Sequence, residues 1–143
     1  LTGGDADRGR DIFFGHTAAQ CVRCHVVNGV GGVAGPDLSK VAAKYPEKTR
    51  EHFVESLALP NAKIADGYAA VTFTLADGRV IAGVVLAEDK KQVTVQTPEG
   101  KKQVIATEDV DARTTPTSPM PPMDRTLSPR EVRDLVEFLT TLK

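Results

Sequence analysis

The sequence lacks tryptophan and has only two tyrosines and five phenylalanines among its 143 residues. So few large rings suggest that something other than side chains fills part of the interior, although small β-branched residues can also fill it. An excess of charge of one sign is also missing, since 18 basic and 19 acidic side chains leave a net charge of -1. This balance argues against nucleic acid or an anionic lipid surface as a partner, because both attract strongly basic proteins.

Long apolar runs are absent as well. No run approaches the roughly 18 residues that a membrane-spanning helix needs, and no basic segment followed by an apolar one marks an export signal. We therefore expect no membrane span in this chain. Its length and 41% hydrophobic composition fit one globular domain. Because it begins at Leu1 rather than at a methionine, we expect a processed protein or a domain of a longer one.

Cysteine is equally scarce, and both cysteines fall in one five-residue motif, Cys21-Val22-Arg23-Cys24-His25. This C-x-x-C-H pattern is typical of the covalent attachment of c-type haem. Two residues between the sulfurs let both thiols reach one edge of the porphyrin, and the histidine that follows then lies beneath the iron. The motif predicts one covalently attached haem c, with Cys21 and Cys24 as thioether anchors and His25 as an iron ligand.

Three other interpretations of this motif stay open. A thioredoxin-like disulfide would need a strand before Cys21, and the sequence indicates none. A zinc site needs four ligands, so His16, His52 or a carboxylate would have to complete it in the absence of a second cysteine pair. The third interpretation is a pair of inert thiols beside a surface histidine.

An electron-transfer haem of the low-spin type needs a second axial ligand opposite His25. The chain has two methionines, Met120 and Met123, and both lie in a proline-rich segment. Such a stiff segment loses little entropy on docking and therefore suits a weakly binding thioether. We predict Met120, which lies between two prolines, as the distal ligand, with Met123 as the alternative. His16 is a less favoured candidate for the distal ligand, because the short segment between His16 and Cys21 would have to wrap round the porphyrin to reach its opposite side.

Helical periodicity appears near both ends of the chain. Residues 5–18 predict a helix, in which Gly9 indicates either a close helix crossing or a weak helix start. The final helix is predicted to begin at Ser128 with a capping box completed by Glu131. Two further helices are predicted over residues 39–44 and 47–58.

A glycine-rich loop follows the haem motif, with four glycines in residues 28–36. It lacks the Gly-Lys-Ser/Thr ending of a phosphate-binding loop. We predict a flexible backbone that lies against a large planar ligand, with a plain surface loop as the alternative.

The periodicity changes from helical to alternating after residue 70. Val71, Phe73 and Leu75 would share one face of a strand, and Asp77-Gly78 predicts a tight hairpin turn. Further strands are predicted over residues 79–87, 92–97 and 101–106. The result is an antiparallel β meander of about four strands, after which prolines exclude a helix or a central strand from residues 114–123.

In the order of these motifs the chain resembles the class I c-type cytochromes. The resemblance rests on the first helix, the haem motif, Gly35-Pro36-Asp37-Leu38, a methionine followed by proline, and the final helix. It implies a mainly α fold, the cytochrome c fold, around one haem c, with the first and last helices crossing near Gly9, Phe13 and Phe138. It also implies that the carbonyl of Pro36 accepts a hydrogen bond from His25, which makes Pro36 a haem-binding residue.

The alternating segment is absent from the simple family pattern. We therefore expect a single cytochrome c domain over residues 1–143, with a helical haem-binding part (1–66 and 114–143) and a β insertion (67–113). In this respect the chain resembles haem-binding domains of planctomycetes and related bacteria, which are often fused to larger dehydrogenase-like proteins. That resemblance rests on Asp77-Gly78-Arg79, Gly83, Glu88 and Ser118-Pro119-Met120-Pro121.

These resemblances imply a monohaem electron carrier rather than an enzyme, either free or as a module of a larger redox protein. Its iron would cycle between Fe(III) and Fe(II) with His25 and Met120 bound. Its partners would be a redox protein donor and acceptor, and its location would be periplasmic or otherwise extracytoplasmic, by analogy with the family. Two alternatives are a haem-based sensor or enzyme with an open distal site, and a module whose β segment binds a partner or glycan.

Overall fold

Two helices from opposite ends of the sequence pack together in the computed structural model, which describes Thr2–Lys143. Helix α1 (Ala6–Gly15) begins after Asp5, whose carboxylate accepts hydrogen bonds from two backbone N–H groups of the first turn. Helix α4 (Pro129–Thr141) begins after Ser128 and carries the predicted capping box. Both predicted helix starts are therefore confirmed.

The crossing of α1 and α4 depends on Gly9. A Cβ atom built on Gly9 would lie 2.0 Å from the carbonyl oxygen of Asp134 and 2.7 Å from the Cβ of Phe138. Beside it, the rings of Phe13 and Phe138 pack with their centroids 5.8 Å apart. The predicted crossing is confirmed, and the close approach of the two backbones explains the glycine within a helix.

Helices α1 and α3 are shorter than predicted. α1 ends at Gly15 because the next residue, His16, has extended backbone angles. Helix α3 (Thr49–Ala58) begins later than expected, after Lys48, whose side chain provides no cap. Among residues 2–143, no helix is long and apolar enough to cross a bilayer. The remaining local elements are α2 (Cys21–Cys24), the ribbon strands β1 (Val26–Val27) and β2 (Val30–Gly31), and 3₁₀ helices at Ala42–Lys44, Thr107–Asp109 and Met123–Arg125.

The chain divides into two compact units. The helical unit comprises the described residues up to Lys63 together with Met120–Lys143, and the sheet unit comprises Ile64–Pro119. The helical unit has one apolar core, to which α1, α3 and α4 all contribute. Its most completely buried side chains include Phe13, Phe53, Leu135 and Val136.

The sheet unit contains five antiparallel strands in the order β6-β5-β4-β3-β7. Four of these are the predicted strands, and they are β3 (Ala70–Leu75), β4 (Val80–Glu88), β5 (Gln92–Gln96) and β6 (Lys102–Ala106). The fifth, β7 (Val110–Arg113), pairs with β3. It was missed because it is short, polar and largely exposed, so it lacks the strong alternation of a strand with one buried face.

One face of this sheet forms a second, separate core. The three side chains predicted from the alternation of β3 are buried there, and three from β5 and β6 join them. The six are Val71, Phe73, Leu75, Val93, Val95 and Ile105.

The sheet is strongly curled. Strands β6 and β7 are four spacings apart, which is about 19 Å in a flat sheet. The link from Ala106 to Val110 is too short for that, because four residues span at most about 14 Å. Arg113 of the edge strand β7 also pairs with Glu88 of the central strand β4 at 2.6 Å, two strands away. The two edges therefore approach each other around the buried face.

The mainly α fold class expected from the sequence is wrong. Helical segments account for 32% of the chain and strands for 24%. The expectation came from the resemblance to the class I c-type cytochromes, which treats the meander as an insertion into a helical fold, whereas α1 and α3 have only 10 residues each. The meander, in contrast, gains a fifth strand and a core of its own. The fold combines a helical unit with a curled antiparallel sheet.

Candidate cofactor site

The two cysteines occupy the ends of one helical turn, α2. Side chains at positions i and i+3 of a helix lie on the same face, so the thiols of Cys21 and Cys24 are neighbours. Cys21 is half-buried, Cys24 is exposed, and neither forms a disulfide. The backbone N–H of His25 donates to the carbonyl of Cys21 at 3.0 Å and ends the turn. Two sulfurs and an imidazole are thereby presented by five consecutive residues.

The imidazole of His25 is held by the backbone. Its Nδ1 lies 2.8 Å from the carbonyl oxygen of Pro36, which is the contact that the family resemblance implies. A carbonyl only accepts, so Nδ1 carries the proton and Nε2 keeps a lone pair for a metal. Burial lowers the pKa of His25, although its hydrogen bond to Pro36 acts in the opposite direction. Burial thus acts against the charged form of the ring, and neutral imidazole is the form that binds metals.

The glycine-rich loop packs on the motif itself. The N–H of Gly32 donates to the carbonyl of Val22 at 2.9 Å, and the N–H of Gly35 donates to that of Cys24 at 2.8 Å. These bonds satisfy carbonyls that a helix end leaves without partners. A Cβ on Gly32 would lie 1.9 Å from the carbonyl oxygen of Arg23. Gly31, Gly32 and Gly35 make their close contacts with the backbone and ring of the motif, and contact of the loop with a planar ligand stays a prediction.

The structure gives little support to the competing interpretations of the motif. Burial raises the pKa of Cys21, whereas a redox-active dithiol depends on a lowered thiol pKa. In the part of the chain that is described, no group of three or more His, Cys, Asp or Glu side chains is arranged to hold a metal ion. A zinc site, which needs four ligands, thus has no ligand set among these residues.

The other two histidines have partners elsewhere. Nδ1 of His16 accepts the N–H of Ala19 at 3.1 Å, and its Nε2 lies 3.6 Å from a carboxylate oxygen of Glu131. His52 stacks on Tyr45 with ring centroids 3.6 Å apart. These contacts give both histidines structural roles away from the motif.

The two methionines differ in burial. Met123 is only 5% exposed and belongs to the core of the helical unit. Met120 is half-buried and packs against the edge of that core. Both belong to the same compact unit as His25.

The residues of the motif fit a covalently held haem. Two thiols share one face of α2, and Nε2 is the ring nitrogen of His25 left for iron. In addition, the backbone of Gly35 lies so close to this ring that a Cβ there would come within 2.6 Å of Cε1. Two thiols one helical turn apart, followed directly by a histidine, are what covalent attachment of c-type haem requires.

Comparison with known proteins relates one part of this chain to a known family. No curated protein sequence matches it. A crystal structure of the pleiotropic translational regulator Hfq is similar over 49% of this chain and 97% of that chain, with 21% identity and a TM-score of 0.31. At that score the likeness assigns neither a fold nor a function. Residues 6–72, which include α1, the attachment motif and Pro36, match the cytochrome c family model. This match supports a c-type cytochrome domain, a haem-binding electron carrier, in this chain.

Proposed function

We propose that the protein is a monohaem electron carrier with His25 and Met120 as axial iron ligands. The observation that carries the proposal is the hydrogen bond of 2.8 Å from Nδ1 of His25 to Pro36, next to two thiols on one helical turn. A haem bound there supplies a reversible Fe(III)/Fe(II) couple. The sequence holds one C-x-x-C-H motif and no further cysteine, which supports a single attachment site.

The residues of this chain would hold the couple in a constant environment. Cys21 and Cys24 provide two covalent anchors, and His25 is fixed by Pro36 and by burial. Both Cys21 and Met120 pack against the apolar core of the helical unit. An apolar, water-poor surrounding tunes the potential of a bound metal. Ligands that stay in place in both oxidation states favour electron transfer over chemistry on a substrate.

The preference for Met120 over Met123 follows from burial. Met123 fills the core, which is the usual structural role of methionine. Met120 lies at the edge of the same core, between Pro119 and Pro121. The flanking prolines restrict the backbone before Met120 binds the haem iron, which lowers the entropy cost of holding a weak ligand there.

The test compares Met120→Ala with Met123→Ala in the haem-loaded protein. Oxidised wild type should show the weak far-red absorption of methionine-to-iron charge transfer, and Met120→Ala should abolish it. Met123→Ala should keep the band but lose about 2–5 kcal/mol of unfolding free energy, because it opens a core cavity. The reverse pattern would transfer the ligand role to Met123. Rapid carbon monoxide binding by reduced wild type would instead indicate an open distal site, as in a sensor or enzyme.

We also infer that the sheet unit is inserted into a single cytochrome c domain. The helical unit ends at Lys63 and resumes at Met120, and the family match stops at residue 72, just after β3 begins. This arrangement supports the resemblance to the planctomycete-type haem-binding domains. Cytochrome c domains are typically extracytoplasmic, so we place this one in the periplasm or an equivalent compartment. There it would exchange electrons with redox proteins, as a free protein or fused to a dehydrogenase-like one.

A further inference from the structure

Gly35 lies directly against the imidazole of His25. A Cβ built on Gly35 would be 2.6 Å from Cε1, 2.8 Å from Nδ1 and 3.1 Å from Nε2 of that ring. Contacts below 3.0 Å essentially never occur for a real Cβ. Since φ of Gly35 lies outside the left-handed region, its backbone conformation does not require glycine. The proximity of the ring is therefore the reason for a residue without a side chain.

The backbone at Gly35 has little freedom to retreat from the ring. Its N–H donates to the carbonyl of Cys24 at 2.8 Å. The next residue, Pro36, accepts the hydrogen bond from Nδ1 of His25 at 2.8 Å. Gly35 is thus bonded to the backbone of Cys24 and Pro36 to the ring of His25, so a side chain at position 35 would displace the ring.

We propose that Gly35 is a positioning residue for the His25 ligand: its missing side chain sets the tilt of the imidazole and leaves the space beside Nε2 clear for iron. This role rests on the proposed function, because it takes His25 as an iron ligand. A substituent at position 35 would tilt the ring and strain its hydrogen bond to Pro36. Both changes act on the basicity and orientation of the ligand, which the outer partner of a metal-bound histidine controls.

The first experiment measures Gly35→Ala in the haem-loaded full chain. We expect a shifted reduction potential and altered g-values in the electron paramagnetic resonance spectrum of the oxidised form. Gly9→Ala is the matched control, because its Cβ would be as crowded, 2.0 Å from Asp134, but away from the motif. It should lose stability and keep the wild-type potential and spectrum. Gly15→Ala, which meets nothing within 4 Å, should change neither. A wild-type potential and spectrum in Gly35→Ala would overturn the proposal.

The second experiment applies even when Gly35→Ala takes up no haem. It is a double-mutant cycle with His25→Ala, followed by denaturant unfolding of the full chain. The three atoms nearest to a Cβ on Gly35 all belong to the imidazole of His25. In the His25→Ala background, Gly35→Ala should therefore cost much less unfolding free energy than it does in wild type. Gly32→Ala is the comparison, because its clash is with the Arg23 backbone, which His25→Ala leaves in place. The loss of unfolding free energy caused by Gly32→Ala should add to that caused by His25→Ala. If the losses caused by Gly35→Ala and His25→Ala add in the same way, the proposal is overturned.

These experiments separate the two proposals. Mature wild-type protein that carries no covalently attached haem mass would end the proposed function, whatever the cycle shows. Attached haem with additive losses at Gly35 and His25 would end the positioning role alone.

Discussion

The helical unit and the sheet unit differ in the side chains they contain. All cysteines, histidines and methionines lie in the helical unit, whereas Ile64–Pro119 contains none. Each unit nevertheless has its own apolar core. The chain therefore separates the residue types suited to binding iron from those that stabilise the sheet. Substitutions in the helical unit should therefore affect haem binding, and substitutions in the sheet unit should affect mainly the stability of the sheet.

The glycines, in contrast, serve the same two purposes in both units. In the helical unit, Gly9, Gly32 and Gly35 leave no room for a Cβ because another part of the chain lies against them. In the sheet unit, three glycines have positive φ and open space around them, as turns require. These three are Gly67, Gly78 and Gly100. Both kinds of glycine occur in each unit, because Gly83 of the sheet unit lies against the backbone of Gln96, and Gly29 of the helical unit has a positive φ and open space around it.

The largest expected effect is the loss of the cofactor in the double variant Cys21→Ala/Cys24→Ala. With both thioether anchors removed, no haem should remain covalently attached. Mass spectrometry of the denatured, matured protein measures this directly, and wild type should carry the mass of one haem. The circular dichroism of the strands should persist, because the sheet has its own core. Haem mass retained in the double variant would contradict the assignment of both anchors.

The next effect separates the two cores. Phe73 is 0% exposed in the sheet core and Leu135 is 1% exposed in the helical core. Truncation should cost about 3–5 kcal/mol for Phe73→Ala and about 2–5 kcal/mol for Leu135→Ala. Denaturant unfolding of the haem-loaded protein, monitored by both haem absorbance and circular dichroism, shows which unit each substitution destabilises.

In that experiment Leu135→Ala should lower the haem-detected midpoint, and Phe73→Ala should lower mainly the midpoint detected from the strands. Phe138→Ala and Val95→Ala are second variants in the helical and sheet cores. Equal shifts of both signals in every variant would show that the two units unfold as one cooperative structure.

The sequence predicted features that depend on local chemistry. The Ser128 capping box and the strands on either side of Asp77-Gly78 are both present. The close packing at Gly9, which only the family resemblance implied, is present as well. Strand β7 escaped prediction because its pairing with β3 is set by the curl of the sheet rather than by a local pattern. The contact of Gly35 with His25 was missed for a related reason. A glycine-rich loop is visible in a sequence, but what its backbone touches is decided by the fold.

A smaller effect is expected at the start of α4. Ser128→Ala removes the side-chain oxygen that accepts the N–H of Glu131. Loss of such a cap should lower the free energy of unfolding by about 0.5–2 kcal/mol. Ser128→Asp, which supplies another capping oxygen, is the matched control and should restore most of the loss. Thermal unfolding followed by haem absorbance measures the change, and equal losses in the two variants would argue against a capping role.

The smallest effect depends on pH. Arg50 donates to both carboxylate oxygens of Glu137, at 2.6 and 2.8 Å, and links α3 to α4. These hydrogen bonds lower the pKa of Glu137 from its ordinary value of 4.5. The stabilisation is therefore present above pH 4.5 and is lost as the pH falls through the lowered pKa. At neutral pH, Glu137→Gln should cost about 1 kcal/mol or less, because the pair is partly exposed.

The unfolding free energies of wild type and Glu137→Gln should accordingly converge as the pH falls below the ordinary pKa of Glu137. Measuring both proteins in denaturant between neutral and acidic pH tests this convergence. Glu51→Gln, a change at an exposed position of α3, is the control for a general loss of negative charge. A difference that stayed constant with pH would mean that Glu137 stabilises the helical unit through packing. Convergence would instead assign the stabilisation to the charged pair. Because both partners lie in the helical unit, we expect the pair to stabilise that unit only.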